Sequence, residues 1–277
     1  MIAGGVPIFP GSLLWFWMKR ILPVWALIAL MIFLMQLAIC GIIHDNQNVK
    51  TMLKFLDLMP SIIKSALGGE TLQVGNLPAL IAIGYQHPLV LILYMLYAVG
   101  IPTGFLAGEV QRGTMELILC RPITKLQVYL CAALLTVLGM VALVLVMFSG
   151  TFVSTKLYDF GEPIPLHEFF RLAVNGGLMA GAVGAISLLS AAAFSRRGTA
   201  VGVTVAYLVV NYFVSIIADW WPRMKVVKSL TIFAYVNPHK VFALHVWPVS
   251  ELIVLGSLLL VAAILGGIIW NRRDLPL

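Results

Sequence analysis

Six apolar runs, each about 20 residues or longer, are nearly empty of ionisable side chains; they occupy residues 22–43, 88–108, 128–150, 172–194, 199–219 and 251–270. A helix needs about that length to cross a hydrocarbon core of ~30 Å. The runs are continuous and lack the two-residue alternation of membrane strands. The expected fold class is therefore all-α, a polytopic membrane protein with six transmembrane helices. Composition agrees. Only 10% of the 277 residues are charged, against about 25% in an ordinary soluble domain. Mean hydropathy is +1.01. A soluble fold with so few charges could not cover its surface, which excludes a soluble enzyme, a nucleic-acid-binding domain and a disulfide scaffold. Cys40, Cys120 and Cys131 form no C-x-x-C pair, and the five histidines include no i,i+4 pair, so neither a zinc site nor a disulfide framework is indicated.

The first run follows Lys19-Arg20 and is too long for the apolar core of a signal peptide, so it is expected as a retained span. No repeat is visible, and residues 1–277 read as one membrane domain. Basic residues divide evenly between the two sets of connecting segments. Two details break the tie. Adjacent basic pairs abut span ends at 19–20, 196–197 and 272–273, all on one side, and the connections on that side are the shorter ones. Basic residues close to span ends weigh most, which predicts both termini in the cytosol.

Three segments outside the spans have structure of their own. Residues 12–21 (SLLWFWMKRI) place Trp15 and Trp17 beside Lys19 and Arg20, as an interfacial elbow helix would. In residues 52–67, polar Lys54, Asp57, Ser61 and Lys64 recur at helical spacing, predicting an amphipathic helix on the outer interface. Residues 222–248 are too short and interrupted to span. They are expected as a re-entrant or interfacial helix hairpin turning at Asn237-Pro238. Trp220, Trp221, Trp247 and Trp270 also fall near span ends, where interface anchoring accounts for them.

The chemistry is defined partly by omission. There is no G-x-x-x-x-G-K-[ST], so the chain cannot bind ATP by a P-loop. Buried charges in membranes usually mark ion pathways or catalysis. Here the span interiors hold essentially none, which disfavours proton relay, voltage sensing and intramembrane proteolysis and fits passage of apolar or amphipathic cargo powered from elsewhere. The informative connection is residues 108–125, GEVQRGTMELILCRPITK. Gly113 breaks the chain, Thr114 is a candidate N-cap, and a short helix follows that must stop before Pro122. Acidic Glu109 and Glu116 stand beside basic Arg112, Arg121 and Lys125.

That segment resembles the E-x-x-x-G-T-x-E-x-L-L-x-x-P-[IV]-[ST]-[RK] pattern of ABC transporter permeases of the ABC-2 class, the type V exporter fold. It runs here as Glu109, Gly113, Thr114, Glu116, Leu117, Leu119, Pro122, Thr124 and Lys125, with Ile118 at one usual leucine position. The elbow, the six spans, the outer amphipathic segment ending in Gly68-Gly69 and the Asn237-Pro238-His239 segment support the resemblance. It implies a membrane subunit with no catalytic site or cofactor of its own, working in the inner membrane of a prokaryote. ATP and Mg would be bound by two copies of a separate ATPase subunit. It also implies a permease homodimer in contact with lipid and not with nucleic acid. Carried over, Glu109, Arg112, Gly113, Thr114, Glu116 and Arg121 would form the coupling region to the ATPase. In this family the second and fifth spans border the central cavity, so Tyr94, Tyr97, Tyr207, Asn211 and Ser215 are the candidates for a substrate path. Interhelical hydrogen bonding is the competing use of those five. Two other readings remain open: a permease serving maturation of an extracytoplasmic metalloenzyme, and a non-transporting membrane scaffold. Small residues also recur at Gly100, Gly104 and Gly108, and at Gly177, Ala180, Gly181 and Gly184, where close helix packing within one subunit is expected ahead of dimerisation.

Overall fold

In a computed structural model of the chain, residues 9–44, 54, 58, 77–221, 225–236 and 238–275 are described. Every regular element among them is helical, since backbone groups at membrane depth have no water to bond and must pair within their own helix. The elements are α1 (Gly11–Ile43), α2 (Leu77–Gln86), α3 (Pro88–Phe105), α4 (Ala107–Gln111), α5 (Thr114–Leu119), α6 (Lys125–Leu157), α7 (Leu166–Ala193), α8 (Arg197–Trp220), α9 (Lys225–Lys228), α10 (Pro238–Leu244) and α11 (Val249–Arg272). A 3-10 turn at Ile232–Tyr235 lies between α9 and α10. Six helical stretches are long and apolar enough to cross a membrane: α1, α2 with α3, α6, α7, α8 and α11. The amphipathic helix expected over residues 52–67 lies outside the described residues except for Lys54 and Leu58, and Asn237 lies outside them too.

Three expectations change. Residues 12–21 are the first turns of α1 itself, which continues through Pro23 without a break. Those turns bury Leu13 and Trp17, and Trp17 stacks flat on Phe105 of α3 at 4.3 Å. The helix is therefore held by packing across the proline, whose missing N–H costs one bond only. Second, the second spanning stretch begins earlier than expected, with α2. His87 is extended before Pro88, as a residue preceding proline must be, and its Nδ1 accepts from the Leu89 N–H to start α3. Third, residues 225–244 form three short pieces instead of a helix pair. Ser229 and Thr231 hydroxyls donate to the carbonyls of Val226 and Lys228, and such local bonds compete with helix continuation.

The helices are joined by close fits. A Cβ at Gly177 or Gly184 would meet Val144 or Thr136 of α6, and one at Gly181 would meet Leu259 of α11. The α7 stripe is thus used within the chain. The α3 stripe is different: nothing stands within 4 Å of a Cβ at Gly100, and at Gly104 only the Arg197 side chain comes that near. Polar side chains add specific ties. Trp25 Nε1 donates to the Gly139 carbonyl at 3.0 Å, and the Tyr97 hydroxyl donates to the Leu135 carbonyl at 2.7 Å. Fully buried Gln36 donates to Thr151 Oγ1 at 3.0 Å, and Tyr85 shares a 2.8 Å bond with the same hydroxyl, so α1, α2 and α6 meet at one polar point. Large apolar side chains cover the outside of α1, α6, α8 and α11, among them Trp15, Leu30, Leu138, Val210, Phe213 and Ile264. That surface suits lipid contact.

The α3–α6 contact is directly testable. A Cβ at Gly139 would collide with the Tyr97 hydroxyl. Gly139→Val should destabilise the protein by about 1–3 kcal/mol through overpacking, whereas Tyr97→Phe should cost about 1 kcal/mol for its lost hydrogen bond. Thermal unfolding in detergent measures both, and a harmless Gly139→Val would overturn the contact.

Candidate functional site

All the segments between α3 and α6, the α7–α8 turn, the start of α1 and the end of α11 meet at one end of the bundle, the junction end. Its apolar foundation is a cluster containing Leu13, Trp17, Phe105, Met115, Val128 and Trp270. Met115 is completely buried there and is the one residue of α5 that turns fully inward. Glu116, Leu117, Cys120 and Arg121 are exposed, Leu117 at 71%. α5 is thus a six-residue helix anchored by a methionine and presenting a short mixed face outward.

Glu109 organises the junction. It sits in α4 with 4% exposure. Its Oε1 accepts from Arg20 Nη1 and from Arg112 Nη2, each at 2.6 Å. Thr114 Oγ1 donates to its Oε2 and, at 3.2 Å, to its backbone carbonyl. One carboxylate therefore joins α1, α4 and α5. Burial alone would raise the Glu109 carboxyl. The bonds from Thr114 and Arg20 and the charge of Arg112 outweigh that and hold it below the usual carboxylate range.

The Thr114 geometry corrects a sequence expectation. Gly113, with φ of +73°, is the N-cap, and Thr114 is the first helical residue. The left-handed turn reverses the chain, which only glycine does without steric cost. It aims the Thr114 hydroxyl backward at Glu109 instead of forward along α5. The other end of the connection carries a device that the sequence reading missed: Thr124 and Gln127 form a reciprocal capping box that starts α6, at 3.2 and 2.7 Å. The spacing Thr-x-x-Gln is the signal that could have found it.

Further bonds close the junction. Gln111 Oε1 accepts from the Arg197 N–H at 2.8 Å, bringing α4 onto the start of α8. Arg273 donates to the Ala192 carbonyl at 2.9 Å and to the Ser195 hydroxyl. Lys125 Nζ donates to the Arg273 carbonyl, and Trp270 Nε1 to the Lys125 carbonyl, both at 2.9 Å. Trp17 and Trp270, read from sequence as interface anchors, are fully buried here, while Trp15 is exposed with Lys19 over its ring at 4.8 Å.

The five path candidates are dispersed. Tyr94 and Tyr97 of α3 are buried among core side chains. Asn211 of α8 donates to the Tyr207 carbonyl at 2.9 Å and accepts from the Ile232 N–H at 3.2 Å, tying the 3-10 turn to α8. Ser215, partly buried, stands one turn further along α8. Only Tyr207 of the five lines a recess of ≈ 370 Å³ formed with Ser229–Ile232, Tyr235 and the α11 residues Val254, Leu258 and Val261. Among the described residues no group of three His, Cys, Asp or Glu is placed to hold a metal ion. Comparison of the sequence with family models and with curated proteins finds no match.

Removing the Glu109 charge should loosen the junction. Glu109→Gln keeps the volume and should cost about 2 kcal/mol, the arginines being part-exposed and able to re-solvate. Because the Glu109 pKa is depressed, its contribution is complete above the usual carboxylate value and is lost only as pH falls through the lowered one. Wild type should therefore lose stability relative to Glu109→Gln below the usual carboxylate range, which paired unfolding curves against pH would reveal.

Proposed function

We propose that this chain is the membrane-spanning subunit of an ATP-binding cassette exporter of the ABC-2 class. It moves an apolar or amphipathic substrate, such as a drug, antibiotic or lipid-like molecule, across the cytoplasmic membrane. ATP and Mg are bound by a separate ATPase subunit present in two copies, and the permease itself works as a homodimer. The junction end faces the cytosol.

The observation that carries this reading is the α4–α5 connection. A helix of six residues that served only to link two spans would need neither a buried methionine nor a three-donor carboxylate. With both, it is a stiff element whose displacement must move α1, α3 and α6 together. Glu116, Leu117 and Arg121 form the face that a partner would grip, and the resemblance of residues 109–125 to the ABC-2 pattern supplies the partner's class. Rim charges such as Glu116 set register and association rate more than affinity, while Leu117 supplies apolar area. The substrate path is best sought around Tyr207. Tyr94, Tyr97 and Asn211 serve helix packing in the resting chain.

The test is co-purification of the full-length chain with the P-loop ATPase encoded nearest to it. Wild type should retain the ATPase. Leu117→Asp should reduce its retention about tenfold or more, equivalent to roughly 1.4 kcal/mol, with unchanged thermal stability because the side chain is exposed. Glu116→Lys should keep ATP hydrolysis but lose its stimulation by candidate cargo. Retention equal in wild type and Leu117→Asp, or no ATPase with wild type, would refute the assignment.

A further inference from the structure

The bundle end opposite the junction carries a second cluster, unrelated to the ATPase reading. Glu168, in the first turn of α7, is 2% exposed. Two imidazoles meet its carboxylate: His245 Nδ1 is bonded to Oε1, and His167 Nε2 lies 3.7 Å from the same oxygen. Both rings remain largely exposed, at 68% and 65%, so protons from solvent reach them while the carboxylate stays covered.

His245 is unusual in its backbone as well. Among the described residues it is the sole non-glycine with positive φ, at 55°. Side-chain-bearing residues avoid that region, and departures from it cluster at switches and binding sites. Two contacts hold the residue there: its ring on Glu168, and its carbonyl, which accepts from Arg171 Nη1 at 2.6 Å. The Arg171 guanidinium also lies 5.5 Å over the Trp247 ring. Residues 245–248, the strap between α10 and α11, are in this way pinned to the first turns of α7.

Lys240 of α10 pairs with Glu251 of α11 at 2.5 Å, and Ser250 donates to the second Glu251 oxygen. Glu162, in the segment before α7, is exposed. Among the described residues, His245 meets Glu168 at its ring and Arg171 at its carbonyl, with His167 beside the same Glu168 oxygen.

We propose that Glu168 and His245 form a proton-operated latch on the strap between α10 and α11. Histidine is the side chain whose charge ordinarily changes between pH 5 and 8. A protonated His245 makes an ion pair with Glu168, which holds the strained strap against α7. A neutral ring leaves a weaker hydrogen bond, and the strap relaxes. The latch holds while the His245 ring is charged and loosens when the ring is neutral.

Hydrogen exchange of the full chain in lipid nanodiscs tests this. Amides of residues 238–250 should be about five-fold better protected at pH 5.5 than at pH 8, after correction for intrinsic exchange, the ratio expected when a charged bond replaces a neutral one. His245→Asn removes the titrating ring while tolerating the left-handed backbone, so its protection should not change with pH. Glu168→Gln should behave likewise. Should that variant not fold, His245→Asn, which alters only an exposed ring, decides the matter. Equal corrected protection of wild type at both pH values, or pH dependence that survives in His245→Asn, overturns the latch.

Discussion

Apolar side chains inside a bilayer gain nothing by leaving lipid for protein, so the helices of this chain are held by close fit and by a few bonds that lipid cannot replace. The arrangement follows from that constraint. Glycines stand wherever a bulky neighbour crosses: Gly139 under Tyr97, Gly184 under Thr136, Gly266 under Tyr129. The Tyr97 and Tyr129 hydroxyls and the Trp25 indole then each reach a backbone carbonyl on another helix, Tyr129 finding Ala263 at 2.6 Å. A ring and the glycine that admits it act as a pair, and neither is informative alone.

Charge is kept for the ends. Three buried carboxylates, Glu109, Glu168 and Glu251, each bind a basic group from another element: Arg20, His245 and Lys240 respectively. Each clamp joins a helix end to a connecting segment, so the apolar middle sets which helices are neighbours and the polar ends set how their connections are oriented. The clamps differ in consequence. Arginine keeps its charge at any pH a cell meets, which makes the Glu109 junction a permanent fixture, whereas histidine does not, which makes the Glu168 contact conditional.

Much of this was legible in the residues. Run length predicted six long apolar helices, because the bilayer thickness imposes it, but not their ends: α1 starts at Gly11, well before the first run, and α6 continues to Leu157. Gly113 and Pro122 bounded α5, because backbone sterics are local. The roles within the junction were not legible. Glu109 and Glu116 carry the same charge seven residues apart in one motif, yet one is a buried hub and the other an exposed face. Trp15 and Trp17 stand two residues apart on α1, and one faces outward while the other stacks on Phe105. The path candidates share a polar-aromatic character that serves equally for lining a cavity or bonding a neighbouring helix. The Glu168 cluster could not be seen at all, since its histidines are 78 residues apart.

The sequence by itself determined an all-helical membrane protein, the number of its candidate spans, and the bounds of the short helix between α3 and α6. These depend on hydrocarbon thickness, backbone hydrogen bonding and local φ preferences, each of which acts on a few neighbouring residues. Only the tertiary structure decided which face of each helix is buried. In a soluble protein, polar residues mark the outer face. Here lipid and protein interior are equally apolar, so a span carries almost no pattern to say which side meets which. That choice is made by shape, glycine against ring and carboxylate against base, between residues that the chain brings together only when it folds.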